Sequence, residues 1–129
     1  MKDTNSFALL VTGHPDDSKS HCHALAFAKS AIKAGHQILG VFFYEEAVIV
    51  ADNSLPRNLQ GQWQSLNQTH DIDLHACIGA ATRRSLAEES LRDDGSLDGN
   101  QLADGFSLSG LGELAEMTAK ADRLIRFGG

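Results

Sequence analysis

Residues 6–17 have the sequence SFALLVTGHPDD, a continuous apolar run that stops at a glycine, a histidine and a proline. Such a run is typical of a strand buried on both faces. Leu25, Ala28 and Ile32 then recur at helical spacing, and Gly35 ends the helix in the usual C-terminal position. Strand, loop, helix and glycine together predict the opening of a βαβ unit.

Four more apolar runs continue this pattern, at residues 37–44, 72–79, 106–109 and 123–127. Strands that alternate with helices and are apolar throughout favour a parallel sheet covered on both faces. We therefore predict a single α/β domain over residues 1–129, with three layers and a mostly parallel, flavodoxin-like sheet of about five strands flanked by helices. In open sheets of this kind, functional sites collect at the carboxyl ends of the strands.

Three segments between the strands have helical character. Leu59, Trp63 and Leu66 mark one face of an amphipathic helix, and residues 82–91 are weakly helical. After residues 110–112 (GLG), a helix carries on one side Leu111, Leu114, Ala115 and Thr118. Residues 45–50 fit a short helix or an extended loop, and the polar residues 93–100 are expected to form an exposed loop.

The composition is that of a globular protein, with 129 residues of which 42% are hydrophobic and 22% charged. Eleven basic and seventeen acidic residues give a formal net charge of −6, which disfavours direct binding of nucleic acid. No apolar run is long enough to span a bilayer, and the first residues lack the apolar core of a secretory signal. We therefore expect a cytoplasmic protein.

The stretch LHACIGAATRRS, residues 74–85, contains the strongest candidate for chemistry. Cys77 stands where an apolar strand meets a glycine and a small-residue turn, and Arg83 and Arg84 follow. A thiol between a strand and a helix start, with guanidinium groups nearby, is in a setting that favours the thiolate. Two plainer interpretations stay open: a cysteine that fills a buried strand, and arginines on a solvated helix face. His75 shares a strand face with Cys77, but the sequence does not show whether their side chains meet.

A second cysteine lies in His21-Cys22-His23, with His14 upstream. Imidazole and thiolate ligands suit zinc or copper, but three consecutive helix residues point in different directions and no paired ligand spacing occurs. We therefore favour a polar helix start over a metal-binding module. No glycine-rich nucleotide motif follows a strand, and no Gly-x-Ser-x-Gly elbow occurs, so we predict neither a bound cofactor nor a serine hydrolase.

Six segments together resemble the DsrE/TusD family of sulfurtransferase subunits, over nearly the whole chain. Their order and spacing make the resemblance specific, although each piece is short. Cys77 occupies the active-cysteine position of that family, Cys22 has no counterpart there, and Ser85 stands where a glycine is common. The segments are FALLVTG at 7–13, AGH at 34–36, VFFY at 41–44, ACIGAATRR at 76–84, GFSLSGLGEL at 105–114 and ADRLIRF at 121–127.

The resemblance implies a sulfur relay. Cys77 would accept a persulfide sulfur from a TusA-like donor and pass it to a TusE-like acceptor, for 2-thiolation of the wobble uridine of tRNA. Arg83 and Arg84 are candidates for anion stabilisation or donor docking. The family also implies assembly with TusB-like and TusC-like subunits as a dimer of heterotrimers.

Two alternatives keep the same fold. A DsrE-type subunit of dissimilatory sulfur oxidation would use the same cysteine in another pathway. A non-catalytic assembly subunit would instead keep Cys77 as a core residue, and one sequence does not separate these from the relay.

Overall fold

The protein folds as an alternation of strands and helices, seen in a computed structural model that describes residues 4–16, 19–52, 58–83 and 102–128. No helix among these residues combines the length and the apolar character needed to cross a membrane. Along the chain the elements are β1 (Ser6–Val11), α1 (Ser20–Lys33), β2 (Gln37–Phe43), a 3₁₀ helix (Glu45–Ala51), α2 (Asn58–His70), β3 (Asp73–Cys77), α3 (Ile78–Arg83), β4 (Phe106–Ser109), α4 (Leu111–Lys120) and β5 (Arg123–Phe127).

The five strands form one sheet in the order β4-β3-β2-β1-β5, and every neighbouring pair is parallel. The predicted α/β fold with a parallel sheet is therefore confirmed. The chain steps in one direction from β1 to β4 and then crosses back to the far side of β1. Because crossovers are right-handed, steps in opposite directions place their helices on opposite faces.

The side-chain contacts agree with this division of the faces. Phe27 of α1 contacts Phe7 and Phe127 on one face, with ring centroids 5.0 and 5.9 Å apart. Met117 of α4 lies against Gly40 on the other face. The sheet is thus covered by α1 and α2 on one side and by α4 on the other, which gives the three predicted layers.

The main core lies under α1 and α2. Trp63 of α2 packs edge-on against Phe43, with ring centroids 5.2 Å apart, and Phe43 in turn contacts Phe106 of β4. The predicted apolar face of α2 is confirmed in this way. The fully buried residues on this side of the sheet and in α2 include Leu9, Val11, Val41, Phe43, Leu74 and Trp63.

The packed side of α4 shares Leu114 with the side indicated by the sequence pattern, but is otherwise different. Leu111 is 53% exposed and Thr118 is exposed, whereas Met117 is buried. Gly40 explains the choice, because a Cβ there would lie 2.5 Å from the Met117 sulfur. The missing side chain of Gly40 lets α4 approach the sheet through Met117.

Strand β3 ends earlier than predicted. The apolar run 72–79 was expected to be a strand throughout, but β3 stops at Cys77 and α3 begins at Ile78. Small residues with high helix propensity, Ala80 and Ala81, follow directly and favour the helix. The predicted loop at 93–100 and most of the predicted helix at 82–91 lie outside the described residues. The ambiguous residues 45–50 belong to the 3₁₀ helix.

Candidate functional site

All five strands end at one edge of the sheet, because all are parallel. His14 follows β1, Tyr44 and Glu45 follow β2, Cys77 ends β3 and Ser109 ends β4. The step from β3 to β4 and the step from β4 to β5 run in opposite directions, so their connections leave toward opposite faces. Strands β3 and β4 therefore flank the point where open α/β sheets form a crevice for ligands.

Cys77 lies beside this point, at the last position of β3. Its Cα is the register partner of the Cα of Ser109, the last residue of β4. Cys77 is buried, with 5% of its surface exposed, and α3 begins at the next residue. The thiol is therefore placed at the functional edge but is largely shielded from solvent.

A polar pair lies beside Cys77 on the same face of the sheet. The Nδ1 atom of His75 is 2.8 Å from the Oγ atom of Ser109. The ring of His75 stacks on Phe42 of β2, with centroids 6.2 Å apart and planes inclined by 27°. Ser109 itself is buried, with 7% of its surface exposed. The sequence indicates that His75 shares the face of Cys77, but it does not reveal Ser109, because the register between two strands is not visible in either strand alone.

Arg83 lies at the end of α3 and is exposed. Its guanidinium nonetheless folds back toward the start of the helix, where Nη1 would lie 3.5 Å from a Cβ placed on Gly79. Gly79 is two residues from Cys77, so the structure brings this positive charge to the turn that follows the thiol. Arg84 lies outside the described residues.

The residues His21-Cys22-His23 do not converge on one point. His21 is fully buried, whereas Cys22 and His23 are exposed on α1. The indole N–H of Trp63 donates to Nδ1 of His21 at 3.2 Å, so Nε2 carries the proton that is donated to the Gly13 carbonyl at 2.9 Å. Both ring nitrogens are thus engaged inside the protein. The part of the chain that the structure describes holds no group of three or more His, Cys, Asp or Glu residues arranged to bind a metal ion.

A cavity of about 280 Å³ next to His75 is lined by residues of α4 and of the sheet. On its α4 side, Lys120 forms an ion pair with Glu116, one helical turn away, with 2.8 Å between Nζ and Oε1. The hydrogen bond and the charge of Lys120 lower the pKa of Glu116, and the same contact raises the pKa of Lys120. The pair contributes stability above the ordinary glutamate pKa and loses it as the pH falls, although solvent screens so exposed a pair.

The sequence and the fold were compared with those of known proteins. The sequence model of the DsrE/DsrF-like family matches residues 5–127. The chain is 40% identical to sulfurtransferase TusD of Enterobacter sp. (strain 638) over 94% of this chain and 98% of that protein. It is 39% identical to sulfurtransferase TusD of Pectobacterium carotovorum, over 95% and 98% of the two chains.

A solved structure has the same fold. The YchN protein of E. coli superposes with a TM-score of 0.75, covering 95% of this chain and 99% of that one. The two sequences are 19% identical, so this likeness concerns the fold alone.

Proposed function

This chain belongs to the DsrE/DsrF-like family, and we propose that it is a sulfurtransferase subunit that carries a sulfane sulfur atom on Cys77. The prediction of a sulfurtransferase is confirmed by the relatives that bear this name at 39–40% identity. The observation that carries the choice of residue is the position of Cys77, at the end of β3 beside the crevice between β3 and β4.

The proposed chemistry is two thiol exchange steps. In the first, the Cys77 thiolate attacks the outer sulfur of a donor persulfide R–S–SH, the donor S–S bond breaks, and R–S⁻ leaves while Cys77–S–SH forms. In the second, an acceptor thiolate attacks that outer sulfur, takes it as its own persulfide, and leaves the Cys77 thiolate. Each step exchanges one S–S bond for another, so no external oxidant or reductant is required.

We further propose that Arg83 assists this chemistry. A guanidinium keeps its positive charge at every physiological pH, and anionic sulfur is the species that must be held at each step. The guanidinium of Arg83 lies over Gly79, two residues from Cys77. Because Arg83 is exposed, it is also placed to contact a docked donor. Arg84 is proposed for the same role on the basis of the sequence.

The partners and the pathway belong to the proposal as well. We propose a TusA-like donor, a TusE-like acceptor, and TusB-like and TusC-like subunits around this chain, in support of 2-thiolation of tRNA wobble uridine. The net charge of −6 supports transfer between proteins over direct tRNA binding. Loss of 2-thiouridine from tRNA on deletion of the gene distinguishes this pathway from dissimilatory sulfur oxidation, in which tRNA thiolation would be unchanged.

One observation favours a second candidate, a non-catalytic assembly subunit. Cys77 is only 5% exposed, as expected for a cysteine that serves as a small core residue. Carriage of sulfur requires that a donor protein reach this thiol, so the crevice must open when the donor docks. An assembly subunit has no such requirement.

Intact-protein mass spectrometry tests the proposal directly. After incubation with a persulfide donor and removal of the donor, the wild-type chain should gain the mass of one sulfur atom. Cys22→Ala should gain it as well, because Cys22 is exposed on α1 and is not the thiol at the end of β3. Cys77→Ser should gain none. Equal uptake by Cys77→Ser would exclude Cys77 as the carrier, and no uptake by the wild type would favour the assembly subunit.

A further inference from the structure

The buried hydroxyl of Ser109 lies next to the Cys77 side chain, on the neighbouring strand. The two residues are register partners on neighbouring parallel strands, which lie about 4.8 Å apart. Their side chains lie on the same face of the sheet. His75 shares the face of Cys77, and its ring forms a hydrogen bond with Ser109. The thiol and the hydroxyl are therefore neighbours on one face of the sheet.

The hydroxyl is held in place by His75. Its Nδ1 atom lies 2.8 Å from Ser109 Oγ, and stacking on Phe42 fixes the plane of the ring. The register partner of His75 is Ser107, yet its ring forms a hydrogen bond with Ser109, which lies two residues nearer the carboxyl edge. The imidazole is therefore directed along the strand toward Ser109, the register partner of Cys77.

We propose that Ser109 and His75 form a proton relay for Cys77, an inference that rests on the proposed function of Cys77 as the sulfur carrier. In the thiol state, Cys77 S–H points at Ser109 Oγ, and the Ser109 hydroxyl donates to Nδ1 of His75. On ionisation the S–H bond breaks and its electron pair stays on sulfur. The proton moves to Ser109 Oγ while the hydroxyl proton of Ser109 moves to Nδ1, so one proton is transferred in total from Cys77 to His75.

The same pair serves the second exchange step. When an acceptor thiolate removes the outer sulfur, the Cys77 thiolate is the leaving group. In the ionised state the Ser109 hydroxyl donates a hydrogen bond to that sulfur, and Nδ1–H of His75 donates one to Ser109 Oγ. This charge-assisted chain of hydrogen bonds stabilises the leaving thiolate. Ser109 is then a positioning residue that acts through Cys77, and His75 is the group that stores the proton.

Charged groups line the cavity that His75 borders. The Cδ2 edge of the ring faces Gly40 of β2, and the ring borders the cavity under α4. The charged groups around this cavity are Asp73 of β3 and, from α4, Glu113, Glu116 and Lys120. The cavity is thus lined by three carboxylates and one ammonium group, which is itself paired with Glu116. The described neighbours from β2 and β4 contribute Phe42 and Ser109, which carry no charge.

The test is the pH dependence of Cys77 alkylation by iodoacetamide, in the full chain with Cys22→Ala. The midpoint of this profile reports ionisation of the thiol and does not depend on how accessible the thiol is. Ser109→Ala and His75→Gln should each move the midpoint up by about one pH unit, which corresponds to a rate about tenfold lower at neutral pH. Ser109→Thr, which restores a hydroxyl, should return the midpoint to that of the parent.

Ser107→Ala is the matched control, since it removes an exposed hydroxyl from the same strand and should leave the profile unchanged. An unchanged midpoint in Ser109→Ala overturns the relay. If that variant does not fold, an unchanged midpoint in His75→Gln overturns it equally. Sulfur uptake by Cys77, measured separately by mass, keeps the two proposals apart: uptake with an unshifted profile rejects the relay alone, and a shifted profile without uptake rejects the carrier alone.

Discussion

At the scale of single residues, His21 shows what a sequence pattern misses. The motif His21-Cys22-His23 indicated a polar helix start, and the structure agrees for Cys22 and His23, which are exposed. His21 instead joins three parts of the fold, the Gly13 carbonyl after β1, its own helix α1 and Trp63 of α2. Its ring also stacks on Phe43 of β2, with centroids 5.8 Å apart. The periodicity of a helix predicts which side is buried, but not that a histidine on that side has two hydrogen-bond partners.

Replacement of His21 should destabilise the protein strongly. In His21→Leu, the Trp63 indole N–H and the Gly13 carbonyl both lose a buried partner, and the expected loss in the free energy of unfolding is about 2–4 kcal/mol. The neighbouring His23→Leu changes an exposed side chain and should alter stability by no more than about 0.5 kcal/mol. Urea unfolding of the two variants measures the difference. Equal stability of both variants would show that the two hydrogen bonds contribute nothing net.

Cys77 shows which features of a candidate site the sequence alone can predict. Its place at a strand end, before small residues and two arginines, was visible in the sequence, whereas its 5% exposure and its alignment with Ser109 were not. Burial depends on what other segments lie over the strand end, and alignment depends on the register of β3 against β4. Both are tertiary properties that no local pattern contains.

At the scale of elements, the strands were predicted better than the surfaces of the helices. The bounds of β4 and β5 agree with the apolar runs 106–109 and 123–127. The end of β3 was predicted two residues too late, because an apolar run does not show where strand geometry gives way to helix geometry. The predicted packed side of α4 was right at Leu114 but wrong at Leu111 and Thr118, because two sides of that helix carry apolar residues and Gly40 on the sheet selects the side with Met117.

Two variants of α4 should separate these sides. Met117 is buried between α4 and the sheet, so Met117→Ala should lower the free energy of unfolding by about 2–3 kcal/mol. Leu111 is 53% exposed, and Leu111→Ala should change the free energy of unfolding by less than about 0.5 kcal/mol. Chemical denaturation of both variants provides the measurement. A larger loss for Leu111→Ala would mean that this helix packs as the sequence pattern indicated.

At the scale of the whole molecule, the fold class was predictable and the strand order was not. Apolar strands that alternate with helices indicate a parallel sheet. No single segment of the sequence, however, indicates that β5 returns to the far side of β1. That return makes the connections after β3 and β4 leave toward opposite faces, while the pairing of β3 with β4 places Cys77 next to Ser109. The proposed position of the chemistry therefore follows from the topology, whereas its proposed nature comes from the thiol and from the relatives.

The proposed assembly makes a prediction for the whole molecule in its native setting. A 13.9 kDa chain that acts as one subunit of a dimer of heterotrimers should co-purify from its own host with two further chains of the same fold, in equal amounts. The Cys77→Ser variant is the control that separates assembly from chemistry. Because it exchanges a buried sulfur for an oxygen of similar size, it should retain the complex while losing sulfur uptake. Analytical ultracentrifugation and mass spectrometry of the purified complex provide both readouts. A wild-type chain that purifies alone as a monomer and still takes up sulfur would contradict the hetero-oligomer, and would leave Cys77 as a carrier that acts without partner subunits.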